Sequence, residues 1–222
     1  MVQGRLNQEE CNLLLMLKEA VCKKCRSVGE KLFLKGEKCY SPKCLMIRKP
    51  YRPGIHSKKR RILSEYARAL LEKQKVKWYY GLNERQMVRF FLQAKKKKSI
   101  ALTESLASEL ERRLDNVVFR LGMAASLREA KQLVSHKFFS VNGRIVNIPS
   151  YQVKVGDVIV LRKEKRNKKN VEEIKRRIKK INPPTWLELK SDEFSGKVLR
   201  MPTLEDAPKF DFDTVVEFYS RK

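Results

Sequence analysis

The sequence predicts an α+β fold, and three observations carry that reading. Apolar residues recur at helical spacing from about residue 57 to residue 136, the period drops to two on either side of an Asn142-Gly143 turn, and a turn-rich stretch with four cysteines precedes both. A helical body, a cysteine-bearing knuckle and a small antiparallel sheet are therefore expected.

The elements follow in order. Residues 22–53 carry the breakers Gly29, Gly36, Pro42, Pro50 and Pro53 and too few apolar side chains to bury a core. Residues 57–80 read as a long helix with Ile62, Tyr66, Leu70 and Val76 on one face, closing at Gly81. Asn83 and Gln86 form the start of the next helix, whose apolar side is Met87, Phe90, Phe91 and Ala94, and the run Lys95 to Lys98 ends it. Thr103 is the expected cap of a helix in which Leu106, Leu110, Leu114, Val117, Val118 and Leu121 recur before Gly122. Ser126-Leu127-Arg128-Glu129 is a capping box that opens a helix to about His136. Phe139 and Val141 then lead into Asn142-Gly143, the signature of a type I′ hairpin, with Ile145, Tyr151, Val153 and the strand Val158 to Leu161 following. Asn170 and Glu173 are placed as cap and third position of a further helix, and Trp186, Phe194, Phe210, Phe212, Phe218 and Tyr219 make the last forty or so residues too aromatic for a loose tail.

Charge narrows the function. The 222 residues hold 51 Lys plus Arg against 25 Asp plus Glu, a net +26. Residues 1–20 hold two basic and three acidic side chains and residues 182–222 hold six and eight, so the middle holds 43 and 14. A surplus concentrated in the middle points to a polyanion, and nucleic acid is the usual one. No run of about 18 apolar residues is present, which excludes a membrane-spanning helix. The leucines of residues 13–17 follow Glu9 and Glu10 where a signal peptide needs cations, so a cytoplasmic protein without disulfides is expected.

Cys22, Cys25, Cys39 and Cys44 stand as C-x2-C and C-x4-C pairs thirteen residues apart. Four thiolates on short turns suit one tetrahedral, structural Zn2+, whose binding would supply the folding free energy that the segment lacks. Such a site has no open position for catalysis. His56 and His136 have no carboxylate close in sequence to orient them, and no phosphate-cradling glycine loop or nucleophile elbow is present, so an enzyme and a small-molecule substrate are not expected. Two basic clusters are candidates for RNA contact. Lys43, Arg48, Arg52, His56, Lys58, Lys59, Arg60 and Arg61 lie beside the knuckle, and Arg113, Arg120, Arg128, Lys131, Gln132, His136, Lys137, Asn142 and Arg144 lie on the helix pair and hairpin. With few aromatics among them, they suit the shape of folded RNA better than single strands.

The run Arg113-Leu114-Asp115-Asn116-Val117-Val118-Phe119-Arg120-Leu121-Gly122, followed by Ala130-Lys131-Gln132-Leu133-Val134, Val141-Asn142-Gly143-Arg144, Ile148-Pro149-Ser150-Tyr151 and Gly156-Asp157, resembles the S-four RNA-binding domain. With the cysteine spacing, Glu72-Lys73-Gln74-Lys75 ahead of Tyr80-Gly81, and Val216-Glu217-Phe218-Tyr219-Ser220-Arg221, the chain from about residue 21 onward resembles the zinc-carrying form of a bacterial-type family of small-subunit ribosomal proteins. The resemblance implies a divergent extension (1–20), a zinc knuckle and helical rRNA-binding domain (21–110), the S-four domain that interrupts it (111–181), and a segment returning to the helical domain (182–222). It also implies binding to the 5′ domain of 16S rRNA during subunit assembly, a place near the channel through which mRNA enters, contact with the neighbouring protein S-five, and influence on translational accuracy. The alternative is an S-four-domain RNA-binding factor, a divergent paralogue, that acts outside the mature ribosome. The chain departs from the family at Leu127 and Lys131, where Arg is usual, at Arg52 and Ser57, and at Lys137-Phe138, where Gly-His is usual.

Overall fold

The computed structural model describes residues 21–57, 62–97, 100–166, 168–179 and 181–221. Residues 1–20 and the candidates Lys58, Lys59, Arg60 and Arg61 lie outside the described residues. Among the described residues, no helix is long and apolar enough to cross a membrane.

The knuckle is built from α1 (Val21–Val28), α2 (Glu37–Tyr40) and α3 (Leu45–Arg48), and its small core is Val21, Cys25, Leu32 and Leu34. α4 (Glu65–Tyr79) begins at a Ser64 cap that accepts a hydrogen bond from Ala67 N–H, well after the expected start near residue 57. Ile62, 93% exposed, lies ahead of the helix, and Tyr66 is exposed but meets the Phe218 ring at 5.7 Å. α5 (Glu84–Lys96) opens with the expected reciprocal capping of Asn83 and Gln86 and buries Met87, Phe90, Phe91 and Ala94. α6 (Leu102–Glu111) is preceded by Ala101, not by Thr103, whose hydroxyl instead donates to Asp213 Oδ1.

The apolar series from Leu106 to Leu121, expected as one helix, is two. At residues 112–113 the chain pairs with the segment around Gln152: Val153 N–H donates to Arg112 O (3.0 Å) and Leu114 N–H donates to Tyr151 O (2.9 Å). α7 (Leu114–Arg120) then resumes. Leu106 and Leu110 pack in a first core with Met87, Phe90 and Phe91, whereas Leu114, Val117, Val118 and Leu121 pack in a second with Phe139, Ile159 and Trp186. An unbroken spacing thus serves two cores, because each segment shows its apolar stripe to a different partner.

In the second body, α8 (Leu127–Ser135) is capped by Ser126, whose hydroxyl accepts from Glu129 N–H. β1 (Phe139–Val141) and β2 (Arg144–Ile145) flank Asn142 and Gly143 at φ 50° and 79°, the two left-handed residues that a type I′ turn requires. β3 (Val158–Leu161) follows, and α9 (Lys168–Ile178) starts two residues before Asn170, which is therefore inside the helix. Residues 182–222, expected to return to the helical body, divide. β4 (Leu187–Lys190) and β5 (Ser195–Val198) complete an antiparallel sheet of order β2-β1-β3-β5-β4, and Trp186 and Phe194 enter the second core. Only α10 (Phe212–Ser220) and its approach pack into the first core, through Phe212, Val215, Phe218 and Tyr219. Gly196 allows the sheet to close on α7, since a Cβ there would stand 2.4 Å from Leu121 Cδ1.

Candidate nucleic-acid interface and cysteine cluster

The two bodies meet at a joint of buried polar groups. Glu111, at the end of α6, is fully buried and accepts from Tyr80 Oη (2.6 Å), Asn116 Nδ2 (2.7 Å) and both Nε (3.1 Å) and Nη2 (3.0 Å) of Arg120. Arg120 Nη2 also reaches the carbonyl of Asp206, which brings the C-terminal segment into the same joint. Burial works against the charge on Arg120, but Glu111 overrides it and raises the pKa further above its ordinary value. Burial and the neighbouring Glu111 also push the Tyr80 hydroxyl well up. Beside this, Arg113 is 1% exposed, and its Nε and Nη2 grip Asp115 at 3.0 and 2.6 Å with the Phe90 ring 5.5 Å away.

These contacts correct two sequence-based expectations. Arg113 is a core residue with two of its three nitrogens held by Asp115, not an exposed surface cation, and Arg120 has its guanidinium committed inward. Asn142 is a third case. Its Nδ2 donates to Asp157 Oδ1 (2.7 Å) and its Oδ1 accepts from Val158 N–H (2.9 Å), so the amide shapes the hairpin, although the residue itself is exposed.

The remaining candidates face outward to different degrees. Lys43, Arg48 and His56 are exposed along the knuckle, while Arg52 is half-buried and its carbonyl accepts from Arg26 Nη2. Arg128 and Gln132 on α8 and His136 at its C-cap follow one another at four-residue spacing, half-buried at Arg128 and exposed at the other two. Lys137 and Arg144 continue the exposed surface to the hairpin. Lys131 is half-buried, its Nζ donates to Gly81 O across the two bodies (3.3 Å), and burial lowers its pKa. Leu127 is buried at 9% exposure. Sequence reasoning missed Glu111 and Asp115, the anions that turn two arginines inward, and it missed exposed Arg89 on α5. The first two could have been suspected from their places beside Arg112, Arg113 and Asn116 in a run otherwise apolar.

Cys22, Cys25, Cys39 and Cys44 line one cavity, all four as free thiols, three of them buried. Backbone N–H groups already point at sulfur: Lys35 donates to Cys39 Sγ at 3.4 Å, and Leu32 does so to Cys25. Burial pushes the Cys25 and Cys39 thiols up, with smaller upward contributions from the neighbouring cysteines. Among the described residues, no three His, Cys, Asp or Glu side chains are closed into a ligand set. Four sulfurs around one cavity disfavour one another's ionisation unless a positive charge joins them.

Comparison with known proteins agrees with the two bodies. Residues 16–111 match the model of the ribosomal protein S4/S9 N-terminal domain, and residues 112–159 match that of the S4 domain. The boundary falls at the break between α6 and α7. The chain is 52% identical over 201 residues to small ribosomal subunit protein uS4 of Caldicellulosiruptor bescii, covering 90% of this chain and 96% of that protein. It is 49% identical over 207 residues to the uS4 protein of Thermus thermophilus (90% and 97%) and 46% identical over 204 residues to that of Solidesulfovibrio magneticus (91% and 98%). Full-length identity of this order, with both domain models in register with the two cores, shows that the chain belongs to the uS4 family of small ribosomal subunit proteins.

Proposed function

We propose that the chain is a structural, non-catalytic component of the cytoplasmic small ribosomal subunit that binds the 5′ domain of 16S rRNA as a rigid two-body clamp. One observation carries this reading: the cations divide, with Arg120 tying the second body to Glu111 of the first and Arg113 held inside by Asp115, while Lys43, Arg48, Lys137 and Arg144 stay on the surface with exposed His56, Gln132 and His136. A fixed frame with separated exposed cations suits the backbone of a folded RNA, which is recognised by shape and phosphate position. The family resemblance adds a place near the channel through which mRNA enters, contact with protein S-five and an influence on decoding accuracy. Filter binding to 5′-domain rRNA across a salt series tests the mechanism. Each phosphate neutralised adds roughly 0.7–0.9 to the log–log slope, so a steep fall is expected and a flat response overturns it. Retention on small subunits through a high-salt wash separates this role from that of a factor acting outside the ribosome, which would strip off.

Cys22, Cys25, Cys39 and Cys44 would hold one structural Zn2+. When bound, it would supply the folding free energy that a four-residue knuckle core cannot. Elemental analysis is expected to give about one zinc per chain, and chelation should open the knuckle to protease. A metal-free protein with a protease-resistant knuckle would refute the assignment.

A further inference from the structure

Between α5 and the segment around Gln152 lies a cleft of about 90 Å3, floored in part by Phe90, with room for several waters or a phosphate-sized group. Gln86, Arg89 and Gln93 line it from α5, and Ser150, Gln152 and Arg113 line it from the other body. Two of these residues carry buried atoms without a hydrogen-bond partner, Nη1 of Arg113 and Oε1 of Gln152. The Gln152 amide is oriented by its Nε2 donating to Glu109 O at 3.0 Å, which leaves Oε1 as the acceptor without a donor. Arg113 is held by Asp115 through its other two nitrogens. Arg89 is exposed and makes no ion pair among the described residues.

Buried polar atoms without partners are uncommon and are a standing cost that a matched ligand removes. The charges in the cleft restrict what that ligand is. Asp115 balances Arg113, so Arg89 is the one surplus cation among the lining side chains, enough for a single phosphate. A phosphodiester has acceptors only, which answers Nη1 of Arg113 but not Oε1 of Gln152. The oxygen needs a donor beside the phosphate, and a ribose 2′-hydroxyl is such a donor, which DNA lacks. We infer that this interbody cleft takes one ribose-phosphate unit of RNA, with the phosphate toward Arg89 and Arg113 and the 2′-hydroxyl toward Gln152. The inference rests on the rRNA-binding reading and adds to it a site that senses RNA as RNA.

Analogue interference mapping on 5′-domain rRNA with the full chain tests it. For the unsubstituted protein, one nucleotide should show both phosphorothioate and 2′-deoxy interference. Arg89→Ala, a surface change that leaves the fold alone, should abolish the phosphorothioate signal at that nucleotide only and lower affinity roughly three- to tenfold. Gln152→Ala should abolish the 2′-deoxy signal there. Interference patterns identical in the unsubstituted protein and Arg89→Ala, as a water bridging the two atoms would give, overturn the cleft while leaving rRNA binding intact. Failure of the unsubstituted chain to bind 5′-domain rRNA at all overturns the parent reading and this one with it.

Discussion

At the joint and at the α8–hairpin surface the same side chain does opposite work. Arg113 and Arg120 are buried beside Asp115 and Glu111 and make two hydrogen bonds each to their carboxylates, whereas Arg144 stands exposed at the hairpin tip. The difference lies in what each arginine finds within reach. A guanidinium enters the interior where a carboxylate balances its charge and accepts its N–H groups, because an unpaired buried ion is far costlier than an exposed one. The joint therefore builds the geometry, and the surface makes use of it.

Breaking the joint should have the largest effect. Arg120→Ala leaves the Glu111 carboxylate fully buried without its cation, and loss of one partner of such a pair costs roughly 3–5 kcal/mol. Urea unfolding should show this loss, and the transition should broaden or split as the two bodies lose their tie to each other and to Asp206. Since Arg120 faces inward, the salt dependence of rRNA binding by the surviving folded protein should keep its slope. A variant with full stability and a shallower slope would place Arg120 back on the RNA side.

The reverse change acts on the surface. Arg48→Ala with Arg144→Ala removes two exposed cations, and stability should move by no more than about 0.5 kcal/mol. Filter-binding affinity should fall about tenfold and the log–log salt slope by about 1.4–1.8, two phosphate contacts at 0.7–0.9 each. An unchanged slope would take these two residues off the interface.

This contrast also marks how far the sequence could be read. Features set within a few residues were legible: the Asn83–Gln86 caps, the Ser126 cap and the Asn142-Gly143 turn all form as their local chemistry dictates. Features set by distant partners were not. The break at residues 112–113 exists because residues 151–153 pair there, and the division of the C-terminal segment exists because β5 finds β3. The inward turn of Arg113 depends on a carboxylate two residues away, but its burial depends on Phe90 and the second core. Charge patterning reports how many cations a segment has and not which of them face water.

Glu84 sharpens the comparison inside the helical body. Burial pushes its carboxyl up, but hydrogen bonds from Lys73, Tyr219 and Lys77 outweigh that and hold it at about 2, against an ordinary 4.5. The group ties α4, α5 and α10 at one point, with Lys73 Nζ 2.8 Å away and the Phe218 ring 4.7 Å from the same ammonium. A carboxyl depressed by folding contributes stability above its unfolded pKa and loses it as pH falls toward the folded one. Glu84→Gln should therefore cost about 1 kcal/mol at neutral pH, held down by the side chain's 41% exposure. In thermal melts the gap between variant and parent should close between pH 4.5 and 2. A gap independent of pH in that range would show that the cluster is held by packing alone.

The smallest expected effect separates fold from binding at one residue. Lys137 follows α8 with φ 59°, a left-handed conformation that its N–H, donating to Val134 O at 2.9 Å, and its carbonyl, accepting from Arg162 Nη1 at 3.0 Å, hold in place. An L-residue with a Cβ pays roughly 1 kcal/mol for that backbone, and glycine does not. Glycine also loosens the unfolded chain by about 0.4–1 kcal/mol, so Lys137→Gly should raise stability by only about 0.5 kcal/mol. The same change removes an exposed cation beside the hairpin and should lower the salt slope of rRNA binding by about 0.7–0.9. Lys137→Ala keeps the strain and loses the charge, so it should match glycine in binding and gain nothing in stability. If both variants bind as the parent does, Lys137 is strained for no RNA contact, and the exposed surface narrows to α8 and Arg144.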